Sequence, residues 1–308
     1  RKVIQRKEET DTGSPAALTD FLNYGLKRYP SEKKIAVVWS HGSGFKAVTR
    51  DIGYDDTSGN SMDMPEIVFA LGKAGINERN KLDIIGFDAC LMAMLEVAHH
   101  LRKHAKILVG SQQTEPGNGW PYDKILKHLK HNPEPEKIVR HIVTEYKNFY
   151  RKKRKADVTQ SAINLANTGA AVNALNDLGN YMCKNMATAN GSGEVKVKTV
   201  LAQCRIAAQN FDFTDYIDVV DFCQLVLKRV YGRYPELDAL LLKLIDKCKA
   251  CIIHQEYYGN GVNRSNGLSI WFPGSREVYY LNRAKYLKLD CNQYNKGWSQ
   301  FLDQFYND

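Results

Sequence analysis

Long hydrophobic runs are missing from this 308-residue chain. No stretch approaches the ~18 consecutive apolar residues that a membrane-spanning helix needs, so no integral membrane segment is expected. No signal peptide is readable at Arg1. A disulfide framework is missing too. The seven cysteines (Cys90, Cys183, Cys204, Cys223, Cys248, Cys251 and Cys291) are odd in number and lie scattered through helical patterns. They read as small buried apolar residues rather than as staples. Cys248, Cys251 and His254 have metal-like spacing, but no fourth ligand lies nearby and KLIDKCKACIIH reads as an ordinary amphipathic helix, so no metal is expected there. There is no internal repeat. The formal net charge is +9, yet its carriers are spread out. The one dense run, Arg151 to Lys155, reads as a solvated helix end, and no interleaving of aromatics with Lys and Arg is visible, so a nucleic-acid partner is not expected.

What remains is ordinary globular composition, 44% hydrophobic and 25% charged, on a chain long enough to bury a large core in one domain or two. IAVVWS (35–40) and LDIIGF (82–87) are short apolar runs without polar alternation, as strands covered on both faces read. AKILVGSQ (105–112), TQSAINL (159–165) and GLSIWFP (267–273) add three more, and RKVIQRKEETD (1–11) suggests a short edge strand. Helical patterns cover 17–29, 65–75, 91–104, 121–130, 135–153, about 168–186 and 297–306, and three more fill 194–254. Alternating strands and helices predict a single α/β domain over 1–308. Its catalytic core spans 1–188, a helical subdomain or insertion 189–258, and the last core strand with a closing helix 259–308. Residues 47–63 form a long polar loop of the kind that signals function or processing.

His41 follows the first apolar run and Cys90 the second. In open α/β sheets ligands bind at the carboxyl ends of strands, and one loop plus one helix between the runs is the length of a crossover that leaves two strands side by side. The expected chemistry is a thiol nucleophile beside an imidazole. Placed between a strand and the helical pattern at 91–104, Cys90 is expected at a helix N-terminus, where the dipole favours thiolate. The other histidines lie in helical or charged stretches and end no strand.

The succession VVWSHGSGF, IIGFDACLMAMLEVAHHLR, TEPGNGWPY and GLSIWFP, from about Asp20 to Phe272, resembles the clostripain family of cysteine peptidases. The resemblance implies the caspase-like fold shared with gingipains, legumains and separases, a three-layer αβα sandwich around a mostly parallel sheet. It implies a catalytic dyad of His41 and Cys90, an oxyanion hole from the N–H groups of Gly42 and Cys90, and Asp88 in an S1 pocket that prefers Arg or Lys. Glycine at 42 lets backbone approach a substrate carbonyl, and Asp88 projects to the same side of an extended strand as Cys90. Capping the following helix is the plainer role for Asp88.

Glu115, Asn118 and Trp120 on the TEPGNGWPY loop are further S1 candidates. Relatives can carry an acid near Asn118, so the amide weakens the basic preference while Glu115 supplies a second charge; Trp120, like Tyr122, is as well suited to the core. Members of the family are often zymogens that cut themselves between the two motifs, which points to processing after Arg50, or Lys46. Some relatives need calcium. Asp51, Asp55, Asp56 and Asp63 offer ligands, but a solvated acidic loop is the simpler reading, and no cofactor is expected to be required. The implied partners are proteins or peptides containing Arg or Lys, and the implied location is secreted, periplasmic or at the bacterial cell surface; a start at Arg1 without an initiator Met is expected from a lost leader or from trimming on cloning and says little about address. The rivals are a non-basic P1 preference or transpeptidation, and a silent caspase-like scaffold, against which the intact His41 and Cys90 argue.

Overall fold

A computed structural model describes residues 3, 6–46, 52–186 and 197–307. In chain order the elements are α1 (Pro15–Arg28), β1 (Ile35–Trp39), α2 (Met64–Lys73), β2 (Leu82–Asp88), α3 (Leu95–Leu101), β3 (Ala105–Gly110), α4 (Tyr122–Leu129) and α5 (Pro135–Lys152). There follow β4 (Val158–Asn164), α6 (Thr168–Met186), α7 (Val197–Ala207), β5 (Tyr216–Asp218), α8 (Val219–Val230) and α9 (Pro235–Cys251). The chain ends with β6 (Ile252–Tyr258), β7 (Ser269–Trp271), α10 (Arg276–Tyr286) and α11 (Gly297–Asn307). Local chemistry sets several of these boundaries. Asp63 and Glu66 close a capping box at the start of α2, and Ser14 accepts from Ala17 N–H at the start of α1 with proline next in line.

The main sheet has the order β1-β2-β3-β4-β6. β1, β2 and β3 pair in parallel, whereas β4 runs against both β3 and β6. Four of the five strands therefore point the same way. Side chains alternate across β2 and β3: Ile85, Phe87 and Leu108 enter one core with α2, α3 and α6, while Ile84, Ile107 and Val109 enter another with Ile138, Ile142 and Tyr146 of α5. Helices on both faces make the sandwich three-layered, a caspase-like fold.

The strand GLSIWFP belongs elsewhere than expected. β7 pairs antiparallel with β5 in a separate two-stranded sheet, and β6 supplies the fifth strand of the main one. Residues 252–258, read as the end of a helical stretch, are that strand. α9 passes into β6 at Ile252 with no glycine or proline between them, so the sequence carries no breaker to mark the switch. His254 thus sits on a strand beside Thr144, while Cys248 and Cys251 are buried on α9.

Glu96 of α3 is buried where the two sheets meet: one oxygen accepts from Trp271 N–H at 2.9 Å and Tyr286 O–H at 3.3 Å, and the other has no partner. Burial raises its pKa from the ordinary 4.5 to about 7. Across that window the folded chain keeps a proton that the unfolded chain has released, so stability falls as pH rises through it and stays lowered above it. Glu96→Gln is expected to remove this slope and to add on the order of 3 kcal/mol at pH 8 and little near pH 4.5, read from denaturant unfolding at the two pH values.

Candidate active site

The pairing of β1 with β2 runs from Ile35 opposite Ile84 to Trp39 opposite Asp88, and Ser40 N–H continues the ladder to the Asp88 carbonyl at 3.3 Å. His41 and Cys90 each lie two residues beyond the last paired positions, Trp39 and Asp88. Neighbouring strands are about 4.8 Å apart, so the register alone brings imidazole and thiol to one rim. Both line a cleft of about 410 Å³ together with Trp39, Ser40, Asp88, Ala89, Glu115, Pro116, Gly117 and Gly119. A Cβ on Gly42 would lie 2.5 Å from the Cys90 carbonyl oxygen and 3.0 Å from the Cys90 nitrogen. The two backbones touch where the oxyanion donors were expected, and only glycine allows it.

Cys90 does not begin a helix. Leu91 turns into the left-handed region at φ 65°, Leu91 N–H donates to the Gln113 carbonyl and Ala93 N–H to that of Ser111, and α3 starts only at Leu95 with Met94 at its cap. The apolar LMAM reads as helix from its composition, but it is spent on pairing with the chain beyond β3. Helix-dipole activation of the thiol is therefore corrected, and Asp88 caps no helix. What reaches Cys90 Sγ instead is Glu115 N–H, at 3.2 Å. Burial pushes the Cys90 thiol up, the Glu115 N–H opposes this, and the nearby charges of Asp212 and Asp88 add to it.

Asp88 is buried, and its Oδ2 accepts from Trp120 N–H at 3.0 Å and Tyr122 O–H at 2.8 Å. Gly119, at φ 60°, packs against it so closely that a Cβ there would come within 2.7 Å of Oδ2. Glu115 lies beside it, holding the Trp120 indole N–H at 3.1 Å and the Gln160 amide at 3.2 Å. Trp120 is a core residue that packs under Gly86 and braces the pocket from behind. Asn118 is exposed and does not line the cleft. Asp88 and Glu115 thus come together, while Asn118 and Trp120 stand outside.

Lys46 is buried, ion-paired with Asp215 and placed over the rings of Phe213 and Tyr216 at 5.4 and 5.0 Å. Arg50 and Asp51 lie outside the described residues. Asp55 accepts from the backbone of Thr12, Thr57 and Ser58, and Asp63 caps α2, so both have local structural partners. Among the described residues no three His, Cys, Asp or Glu side chains are grouped to hold a metal ion.

Sequence reasoning missed Trp39 and Ser40 as cleft residues, Tyr122 as a partner of Asp88, Gln160 as a partner of Glu115, and Asp212. Gln160 carried a signal, a large polar side chain in a strand otherwise fit for burial. Asp212 carried none: it reaches the site because its N–H donates to Gln113 Oε1 at 2.9 Å, across 99 residues. Nearby, the Gln112 amide donates to Asp218, which also holds Asn266, so the C-terminal half is tied to the rim by buried polar contacts.

Comparison with known proteins identifies relatives of the chain. The chain is 29% identical over 136 residues to clostripain from Hathewaya histolytica, a stretch that covers 40% of this chain and 26% of that protein's length. A secreted C11 cysteine protease from Bacteroides thetaiotaomicron, solved with an irreversible peptide inhibitor, is similar with a TM-score of 0.68 and 20% identity over 98% of this chain and 81% of its own. An inactive zymogen C11 protease from Parabacteroides distasonis is similar with a TM-score of 0.66 and 19% identity over 97% of this chain and 79% of its own. At such identities the two structures speak for the fold alone. The match that reaches further is the model of the Peptidase C11, or clostripain, family, which runs from residue 2 to residue 305; the chain belongs to the clostripain family.

Proposed function

We propose that this chain is the peptidase unit of a cysteine endopeptidase that cleaves after Arg or Lys through Cys90 and His41. The observation that carries the reading is one cleft, beyond the ends of the parallel pair β1 and β2, lined by His41 and Cys90 together with Asp88 and Glu115. Cys90 passes its proton to His41 and attacks the peptide carbonyl. The oxyanion forms where the Gly42 and Cys90 backbones meet, and such donors are often the largest single catalytic contribution. His41 then protonates the departing amine, and water, deprotonated by His41, hydrolyses the thioester. A basic P1 side chain against Asp88 forms a charge-assisted pair and offsets one of the negative charges that add to burial in pushing the thiol up. The cycle draws on Cys90, His41, backbone donors and water, and calls on no cofactor.

Self-processing between His41 and Cys90 belongs to the same proposal. Burial of Lys46 against Asp215 withdraws one candidate bond and leaves Arg50 as the preferred one. Relatives described as secreted favour a location outside the cytoplasm, and among the described residues no helix is long and apolar enough to cross a membrane. Reporters differing only in P1, with Arg, Lys, Asn or Asp, are expected to be cut strongly for the first two; equal cutting of all four would remove the basic preference. Intact mass of the purified protein is expected to show a cut after Arg50 in the wild type and an uncut Cys90→Ala chain. A fully active wild-type chain that stays whole would sink self-processing.

A further inference from the structure

Two carboxyl groups meet in the cleft where a single basic side chain would enter. Asp88, from β2, and Glu115, from the loop after β3, line the same cleft and are bridged by Trp120, whose N–H donates to Asp88 and whose Nε1 donates to Glu115, so the two carboxyl groups repel unless one of them carries a proton. Other donors hold both carboxyl groups in place. Trp120 N–H and Tyr122 O–H donate to Asp88, and Trp120 Nε1 and the Gln160 amide donate to Glu115. The titratable groups facing Glu115 are Asp88, Cys90 on the turn after β2, Tyr122 of α4, and Tyr146 and Tyr150 of α5, and His41 lines the same cleft. Among the described lining residues there is no lysine or arginine.

We infer that Asp88 and Glu115 share one proton in the free protein, and that a basic P1 side chain expels it on binding, making Glu115 the residue that sets the acid limit of substrate affinity. The inference rests on the basic P1 reading above. Burial first, then the Asp88 charge, pushes Glu115 well above the usual carboxylate range, whereas the three phenols, pushed up by the same surroundings, stay neutral. A cation entering below the Glu115 titration must displace the proton, and above it the proton has already left. KM for a basic substrate therefore falls as pH rises through that range and then levels off, while a citrulline substrate, of the same shape without charge, shows no such fall.

The test has two arms. In the first, KM and kcat are measured against pH for Arg and citrulline P1 reporters with wild type and Glu115→Gln. The variant is expected to flatten the Arg KM profile and raise its plateau by roughly tenfold, with kcat changed by less than about threefold. In the second, Cys90→Ala protein is titrated with an Arg peptide amide by calorimetry in two buffers of different ionisation enthalpy, which needs no folded Glu115 variant. A buffer-dependent heat corresponding to release of up to one proton per site is expected. Identical heats in both buffers, or an unchanged KM profile in Glu115→Gln, would overturn the inference while leaving Arg specificity standing. Failure of the wild type to cut after Arg or Lys would remove both.

Discussion

In a Cys90→Ala protein, hydrolysis of an Arg reporter falls to background, a loss on the order of 10⁴- to 10⁶-fold in kcat. The size follows from the chemistry. Without a thiolate no acyl-enzyme forms, and what the oxyanion donors and the pocket still supply is a small remainder. His41→Ala is expected to fall nearly as far, and the double variant no further than either alone, because nucleophile and proton carrier act as one unit. Cys90 is only half-buried and its sulfur takes one backbone hydrogen bond from Glu115, so the alanine protein should fold, at a cost of about 1 kcal/mol. Burst kinetics with an ester substrate provide the check. A wild-type burst of one product per site that is absent from Cys90→Ala places the covalent step at this residue, and steady turnover by the variant would refute it.

Asp88→Asn is the second large effect. The change keeps the shape and an oxygen for Trp120 N–H and Tyr122 O–H, and removes only the charge. Truncating one partner of a buried, hydrogen-bonded charge pair costs about 2–5 kcal/mol, so kcat/KM for an Arg reporter should drop by roughly 10²- to 10³-fold. The matching citrulline reporter, having no cation to lose, should change by less than about tenfold. The ratio of the two reporters is the readout. A fall of equal size for both would mark Asp88 as a residue that only holds the Trp120–Tyr122 loop in place.

That His41 and Cys90 line one cleft was legible because it depends on local order. A β-branched run that ends in His41-Gly42 and another that ends in Asp88-Ala89-Cys90 need only pair in parallel to converge, and one intervening helix makes that pairing the default. Gly42 was legible for a similar reason, since a glycine directly after the imidazole has little to do but let another backbone approach. The helix expected at Cys90 was misread because LMAM is apolar enough for a helix, while its actual hydrogen bonds go to Ser111 and Gln113, partners that no local window contains. The β6 strand was hidden likewise. Its residues follow α9 without a breaker, and only the free edge of β4 makes them a strand.

What the chain's order of residues determined by itself is the αβα layering, the meeting of His41 with Cys90 and the acid two residues before the thiol, because strand period and crossover length act over a few dozen residues. Only the tertiary structure decided which of four S1 candidates meet. Glu115 closes on Asp88 through Trp120 and Gln160, Asn118 stays in solvent, Lys46 is buried against Asp215, and Asp212 arrives from the far half of the chain. Those outcomes turn on loops anchored by single buried hydrogen bonds between distant residues, whose partners are fixed by the packed core and not by any pattern along the sequence.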